Sequence, residues 1–185
     1  MEIPTEPDGR LTAFGNQLIE VHIWLREELT LLRENVDSYL DGRGERPREL
    51  RAHCLTFCSA LSRHHTGEDN GVFPALAGHF PELRPVLQEL ERDHHVVTGI
   101  LRSLEELLAG LETDPDPAEA RRVRAELDGL AALLESHFVY EEKQLVAALN
   151  SLSAPSRDGS EPASPSAVAD ALSDPDIQAD GSTGR

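Results

Sequence analysis

The 185-residue chain is long enough for one domain with its own core, and 4% aromatic residues beside abundant Leu, Ala, Glu and Arg favour helices over strands. With 34 acidic against 17 basic residues, a formal charge of -17 repels phosphate backbones and anionic headgroups, so neither nucleic acid nor a membrane surface is an expected partner. The opening MEIPTEPDGR lacks a basic start and an apolar run, and no apolar stretch approaches ~18 residues, so a soluble cytoplasmic protein is expected.

Helix one is predicted from Leu11 to about Leu40, where apolar residues at 11, 14, 18, 25, 29, 32 and 36 follow the 3 and 4 spacing of one face. DGRGERP then supplies a loop that cannot continue a helix. Helix two starts near Pro47 with Leu50, Cys54, Phe57 and Leu61 on its stripe, while Gly67, Gly71 and Pro74 leave its end, near Ala77, open. Helix three runs from about Glu82 to Leu108 with Leu83, Leu87, Leu90, Val97, Leu101, Leu104 and Leu108 in register. Helix four runs from about Pro117 to Ala148 on Val123, Leu127, Leu130, Leu134, Leu145 and Ala148. Beyond it, a Ser, Pro, Ala, Asp and Gly-rich stretch has too few large apolar residues to offset its ordering entropy. The expected organisation is an N-terminal extension over 1–10, an all-α, up-down-up-down four-helix bundle over 11–150 and a disordered acidic C-terminal tail over 151–185.

Extended by their own spacing, the apolar stripes run through polar residues: His22 on helix one, His64 and Glu68 on helix two, His94 on helix three, His137 and Glu141 on helix four. Four imidazoles and two carboxylates in a core are expensive unless cations neutralise them. His64 with Glu68 and His137 with Glu141 each read HxxxE, which places both donors on one helix face. Counted along the helices, His22 agrees in level with His64, and His64 with His94, whereas His94 and His137 are expected ~6 Å apart in height. The donor set exceeds a closed tetrahedral zinc site and suits iron or manganese better. Six side chains are also too many for one ion with an open position. A dinuclear site follows, bridged by Glu68 and Glu141 with the four histidines as terminal ligands.

The order H, HxxxE, H, HxxxE on successive helices resembles the hemerythrin-like, or HHE cation-binding, family over roughly residues 11 to 150. The resemblance implies two non-haem iron ions with an oxo or hydroxo bridge, held by His22, His64, Glu68, His94, His137 and Glu141 and handling peroxide, oxygen or nitric oxide. The oxygen-carrying members use a fifth histidine in an extended third-helix motif, and after His94 this chain offers only His95, off the stripe. Peroxide handling, with catalase-like activity, is therefore expected ahead of reversible oxygen carriage. Two alternatives stay open: an iron- or oxygen-responsive sensor or storage protein acting through a partner, and a metal-free helical adaptor whose histidines merely pack.

His65 with Asp69 forms a competing HxxxD, but a rotation of ~100° moves His65 off the Leu61 stripe, and His53 and His79 are expected at the surface. Glu91 and His94 form one ExxH of the kind ferritin-like bundles use twice, but Leu134 stands where the second needs an acid. Cys54 and Cys58 are expected as buried or semi-buried thiols in a reducing compartment. Trp24, Tyr39 and Tyr140 flank the stripes as packing residues with no assigned role.

Overall fold

A computed structural model describes residues 14–43, 47–110 and 116–153. Among them there is no strand. The long helices are α1 (Phe14–Leu40), α2 (Pro47–Gly67), α4 (Arg84–Gly110) and α5 (Pro117–Ser153), with a short α3 (Phe73–His79) prolonging α2. Residues 1–10, the Leu11 start expected for helix one and the expected tail from 154 onward lie outside the described residues.

Local chemistry sets the helix ends. After α1, Gly42 takes a φ of 71°, the left-handed region open to a residue without Cβ. Its N–H donates to Tyr39 O at 3.0 Å and the Arg43 N–H donates to Ser38 O at 2.8 Å, so two last-turn carbonyls are satisfied. At the start of α5 the Asp116 carboxylate accepts from the Ala118 N–H at 3.0 Å, and Pro117 follows as first helical residue.

The open end of helix two resolves as continued helix. Glu68–Val72 form a π-helical turn, in which the Phe73 N–H donates to Glu68 O, five residues back. Pro74 follows directly; its missing N–H and its ring would disturb an α-helical turn around the Asn70 carbonyl, and the wider turn accommodates both. A 3-10 turn at Pro81–Leu83 leads into α4. Helix α5 passes the expected Ala148 end, with Leu149 fully buried.

α1 packs against α2 and α5, and α4 packs against α2 and α5, so the four long helices enclose one interior. That interior holds two apolar clusters. The larger contains Leu25, Leu29, Leu32 and Val36 of α1, Leu50, Phe57 and Leu61 of α2, Val97 to Leu108 of α4 and Val123 to Phe138 of α5. The smaller joins Leu18, Val72, Phe73, Leu76, Leu87, Leu90, Leu145 and Leu149. On α1 and α4 the smaller cluster comes first along the chain, and on α5 and along α2 with its prolongation through α3 the larger does. The polar core residues lie around the junction of the two clusters.

Candidate metal centre

Each of the six residues expected to ligate is buried: His22, Glu68 and Glu141 at 0%, His137 at 1%, His94 at 3% and His64 at 6% exposure. The helices place them by simple periodicity. His22 lies between Leu18 and Leu25 of α1, His94 between Leu90 and Val97 of α4, and each HxxxE pair spans one turn of its helix.

Two groups of donors converge. His22, His64, Glu68 and Glu141 offer atoms within 4.8 Å of one another, and so do His65, His94 and His137. The Nε2 atoms of His22 and His64 approach to 3.0 Å and those of His94 and His137 to 3.2 Å. The expected ~6 Å height difference between His94 and His137 is therefore absent at the site. Glu68 lies between the groups, Oε1 at 3.2 Å from His64 Nε2 and Oε2 at 3.6 Å from His94 Nε2. Glu141 Oε2 does the same across the other side, 3.4 Å from His22 Nε2 and 3.5 Å from His137 Nε2.

Outer carboxylates orient the rings. The Nδ1–H of His22 donates to Glu142 Oε1 at 2.9 Å, that of His94 to Asp69 Oδ1 at 2.7 Å, and that of His137 to Asp93 Oδ2 at 3.4 Å. Each donation fixes the tautomer that leaves Nε2 as a bare lone pair aimed into the site. Glu142 is itself held by Arg26 Nη1 at 2.9 Å, and Phe138 stacks on the His22 ring at 4.1 Å.

This arrangement is poorly compensated by protein atoms alone. The facing Nε2 lone pairs of His94 and His137 repel, and all four carboxylate oxygens of Glu68 and Glu141 are buried without a partner in hydrogen-bonding geometry. Burial pushes the His22, His94 and His137 imidazoles down to about 4, and holds His64 and His65 well below their ordinary range. It pushes Glu141 up to about 8 and, with the neighbouring Glu141 charge, Glu68 well above the usual carboxylate range. Neutral imidazoles are the ligand form, and a cation would stabilise the carboxylates in their charged form. The donor set therefore fits a His/Glu-bound cation site, with enough donors for more than one ion.

The expectation that His65 lies off the inward face does not hold. His65 is 4% exposed, its ring stacks on His94 at 3.9 Å and 8°, and its Nε2 has no partner. A helix of a four-helix bundle turns a wedge inward, not a line, so residues ~100° apart can both reach the interior. His64 meets α1 and His65 meets α4. The single-stripe test misses this, although the HH doublet was the available signal.

The other polar candidates lie elsewhere. His95 and His79 are exposed, each donating Nδ1–H to a carbonyl one turn back, at 2.7 and 3.0 Å. His53, expected at the surface, is half-buried between Glu28 and Asn35. Leu134 is buried in the larger cluster, so the second ExxH acid is absent there. Tyr140 donates its hydroxyl to Glu89 at the surface, while Tyr39 is buried and Trp24 packs on the core. Cys54 and Cys58 are buried free thiols with sulfurs 3.6 Å apart.

Compared with known proteins, residues 15–149 match the family model of the hemerythrin HHE cation binding domain. No curated protein and no solved structure matches the chain.

Proposed function

The chain belongs to the hemerythrin HHE cation-binding family, and from that premise we propose that it is a non-haem di-iron protein that binds and decomposes a small oxidant, peroxide ahead of oxygen or nitric oxide. Its main support is the pair of orphaned carboxylates, Glu68 and Glu141, each lying between an imidazole of one group and an imidazole of the other. A single ion with an open position cannot use that many N and O donors, and their number suits octahedral iron better than tetrahedral zinc. Bound there, iron supplies the one-electron and oxygen chemistry that these side chains lack.

The chain's own groups do the rest. The apolar clusters on both sides keep bulk water from the donors. Asp69, Asp93 and Glu142, 29%, 36% and 22% exposed, each accept the Nδ1–H of a buried ring and so hold His94, His137 and His22 with Nε2 facing the other donors. Decomposition of two hydrogen peroxides to two waters and dioxygen oxidises one peroxide and reduces the other, and it ranks ahead of simple carriage because the helix of His94 lacks the extended fifth-histidine motif of the oxygen carriers. The same reading takes the helices as up-down-up-down, supported by the alternating order of the two clusters. A cytoplasmic location fits the unpaired buried thiols.

The test is metal analysis of freshly purified protein, then anaerobic reconstitution with Fe(II), an absorption spectrum, and oxygen evolution from hydrogen peroxide. Two irons per chain, oxo-bridged absorption bands and turnover above free iron are expected. Protein without metal is the helical adaptor; bound iron that releases oxygen unchanged and leaves peroxide intact is a carrier.

A further inference from the structure

His65 is unused by the site as the family motif defines it, yet it is as buried as the motif's own histidines. We propose that His65 is a ligand of the second ion, so that α2 and the π turn continuing it supply three donors, His64 and Glu68 as the motif requires and His65 across the axis beside His94 and His137. This rests on the di-iron reading above.

Three observations converge on this assignment. The His65 Nε2 is a buried nitrogen without a partner, a state that commonly costs about 1–3 kcal/mol and persists where a ligand completes it. Its donor atom falls within 4.8 Å of those of His94 and His137, and its ring packs edge-on to His137 at 5.3 Å. Glu68 and Glu141 reach both groups, so His65 would give the second a third imidazole beside the shared carboxylates.

The geometry adds a requirement. Two rings stacked face to face cannot both aim an in-plane lone pair at one ion, and the His65 ring stacks on His94 at 3.9 Å and 8°. Ligation therefore turns the His65 ring out of that stack, a change of side-chain torsions that leaves α2 in place. The resulting centre is unequal: His65, His94 and His137 on one ion, His22 and His64 on the other, with Glu68 and Glu141 shared.

The decisive experiment titrates the metal-free full chain anaerobically with Fe(II) against a chelator, for wild type, His65→Ala, His65→Gln and His22→Ala. Circular dichroism of each metal-free variant checks that the helices persist, and His65→Gln keeps the volume should the alanine variant unfold. Wild type is expected to take up two ions. Both His65 variants should hold one ion at wild-type affinity and bind the other more weakly by more than the roughly 10- to 100-fold that loss of an outer partner costs. His22→Ala should weaken one ion and leave the His65 group loaded. Folded His65 variants that hold two ions with unchanged affinity overturn the assignment and leave the di-iron reading intact. Wild type that takes up fewer than two ions overturns the di-iron reading, and this assignment with it.

Discussion

Glu142 shows how much of the site depends on residues that touch no ion. Its Oε1 accepts from His22 Nδ1 and from Arg26 Nη1, both at 2.9 Å, and those contacts, the imidazole's first, hold its carboxyl below the usual range. Glu142→Ala frees the His22 ring to rotate and to change tautomer, so affinity for the ion on His22 and His64 is expected to fall roughly 10- to 100-fold. Calorimetric titration of the metal-free variant with Fe(II) checks it, and undiminished affinity would show the contact to be incidental. A pH profile follows from the ligands themselves. His22 and His94 drop from 6.5 to about 4, so the unfolded chain binds more protons in that window, and their contribution to stability grows as pH rises from about 4 to 6.5. Glu141 is raised from 4.5 to about 8, so its contribution is complete below about 4.5 and is lost as pH rises through about 8. Melting temperature in chelator is therefore expected to climb to about pH 6.5 and to decline toward pH 8 and above; with Fe(II), which takes the carboxylates deprotonated, the alkaline decline should vanish. A chelated profile that stays flat on the alkaline side would contradict the burial of these carboxyls. All six motif residues were legible because 3 and 4 spacing makes a buried polar residue conspicuous among leucines. His65 was not, because the same rule reduces a helix's inward wedge to a line.

Among elements, α1 and α5 approach each other closely at Gly15. The Gly15 N–H donates to Asn150 Oδ1 at 2.9 Å, and a Cβ at Gly15 would meet that oxygen at 2.6 Å and the Val146 carbonyl oxygen at 2.7 Å. The carbonyl belongs to helix backbone and cannot step aside, so Gly15→Ala forces the helices apart at the edge of the smaller cluster. Overpacking of about 1–3 kcal/mol should exceed the helix-propensity gain of at most about 1 kcal/mol. Gly99→Ala, with nothing within 4 Å of its new methyl, should show the propensity gain alone. Chemical denaturation of the two variants is expected to move in opposite directions, and a stabilised Gly15→Ala would mean the helices are not this close. Nothing in the sequence announced this contact, since a glycine early in a helix reads only as a weak helix former. The π turn at Glu68–Val72 was equally hidden: Gly67, Gly71 and Pro74 signalled a break, yet packing of Val72, Phe73 and Leu76 into the smaller cluster keeps the chain helical. Helix starts at Pro47 and Pro117 were readable because proline at a first turn has one meaning.

At the scale of the molecule, two oily clusters carry the fold and the polar gap between them opposes it. Leu32, Leu61, Leu104 and Leu130 are fully buried in the larger cluster, each contributing on the order of 1.5–3 kcal/mol relative to exposure. Surface pairs such as Arg124 with Asp37 and Asp41, at 2.8 Å, add little in water. Between the clusters, five imidazoles and two carboxyls are desolvated with incomplete hydrogen bonding, a burden that an ion set would relieve. Stability should therefore be linked to metal by mass action: free ion at 100 times the dissociation constant of one site contributes about 2.7 kcal/mol. Melting temperature is expected to rise with Fe(II) concentration in wild type. Glu68→Gln with Glu141→Gln keeps the volume and removes both shared charges, so this double variant should melt at one temperature with or without Fe(II). If metal leaves the wild-type melting temperature unchanged, or raises the double variant's equally, the buried carboxylates are not the groups through which an ion holds the four helices together.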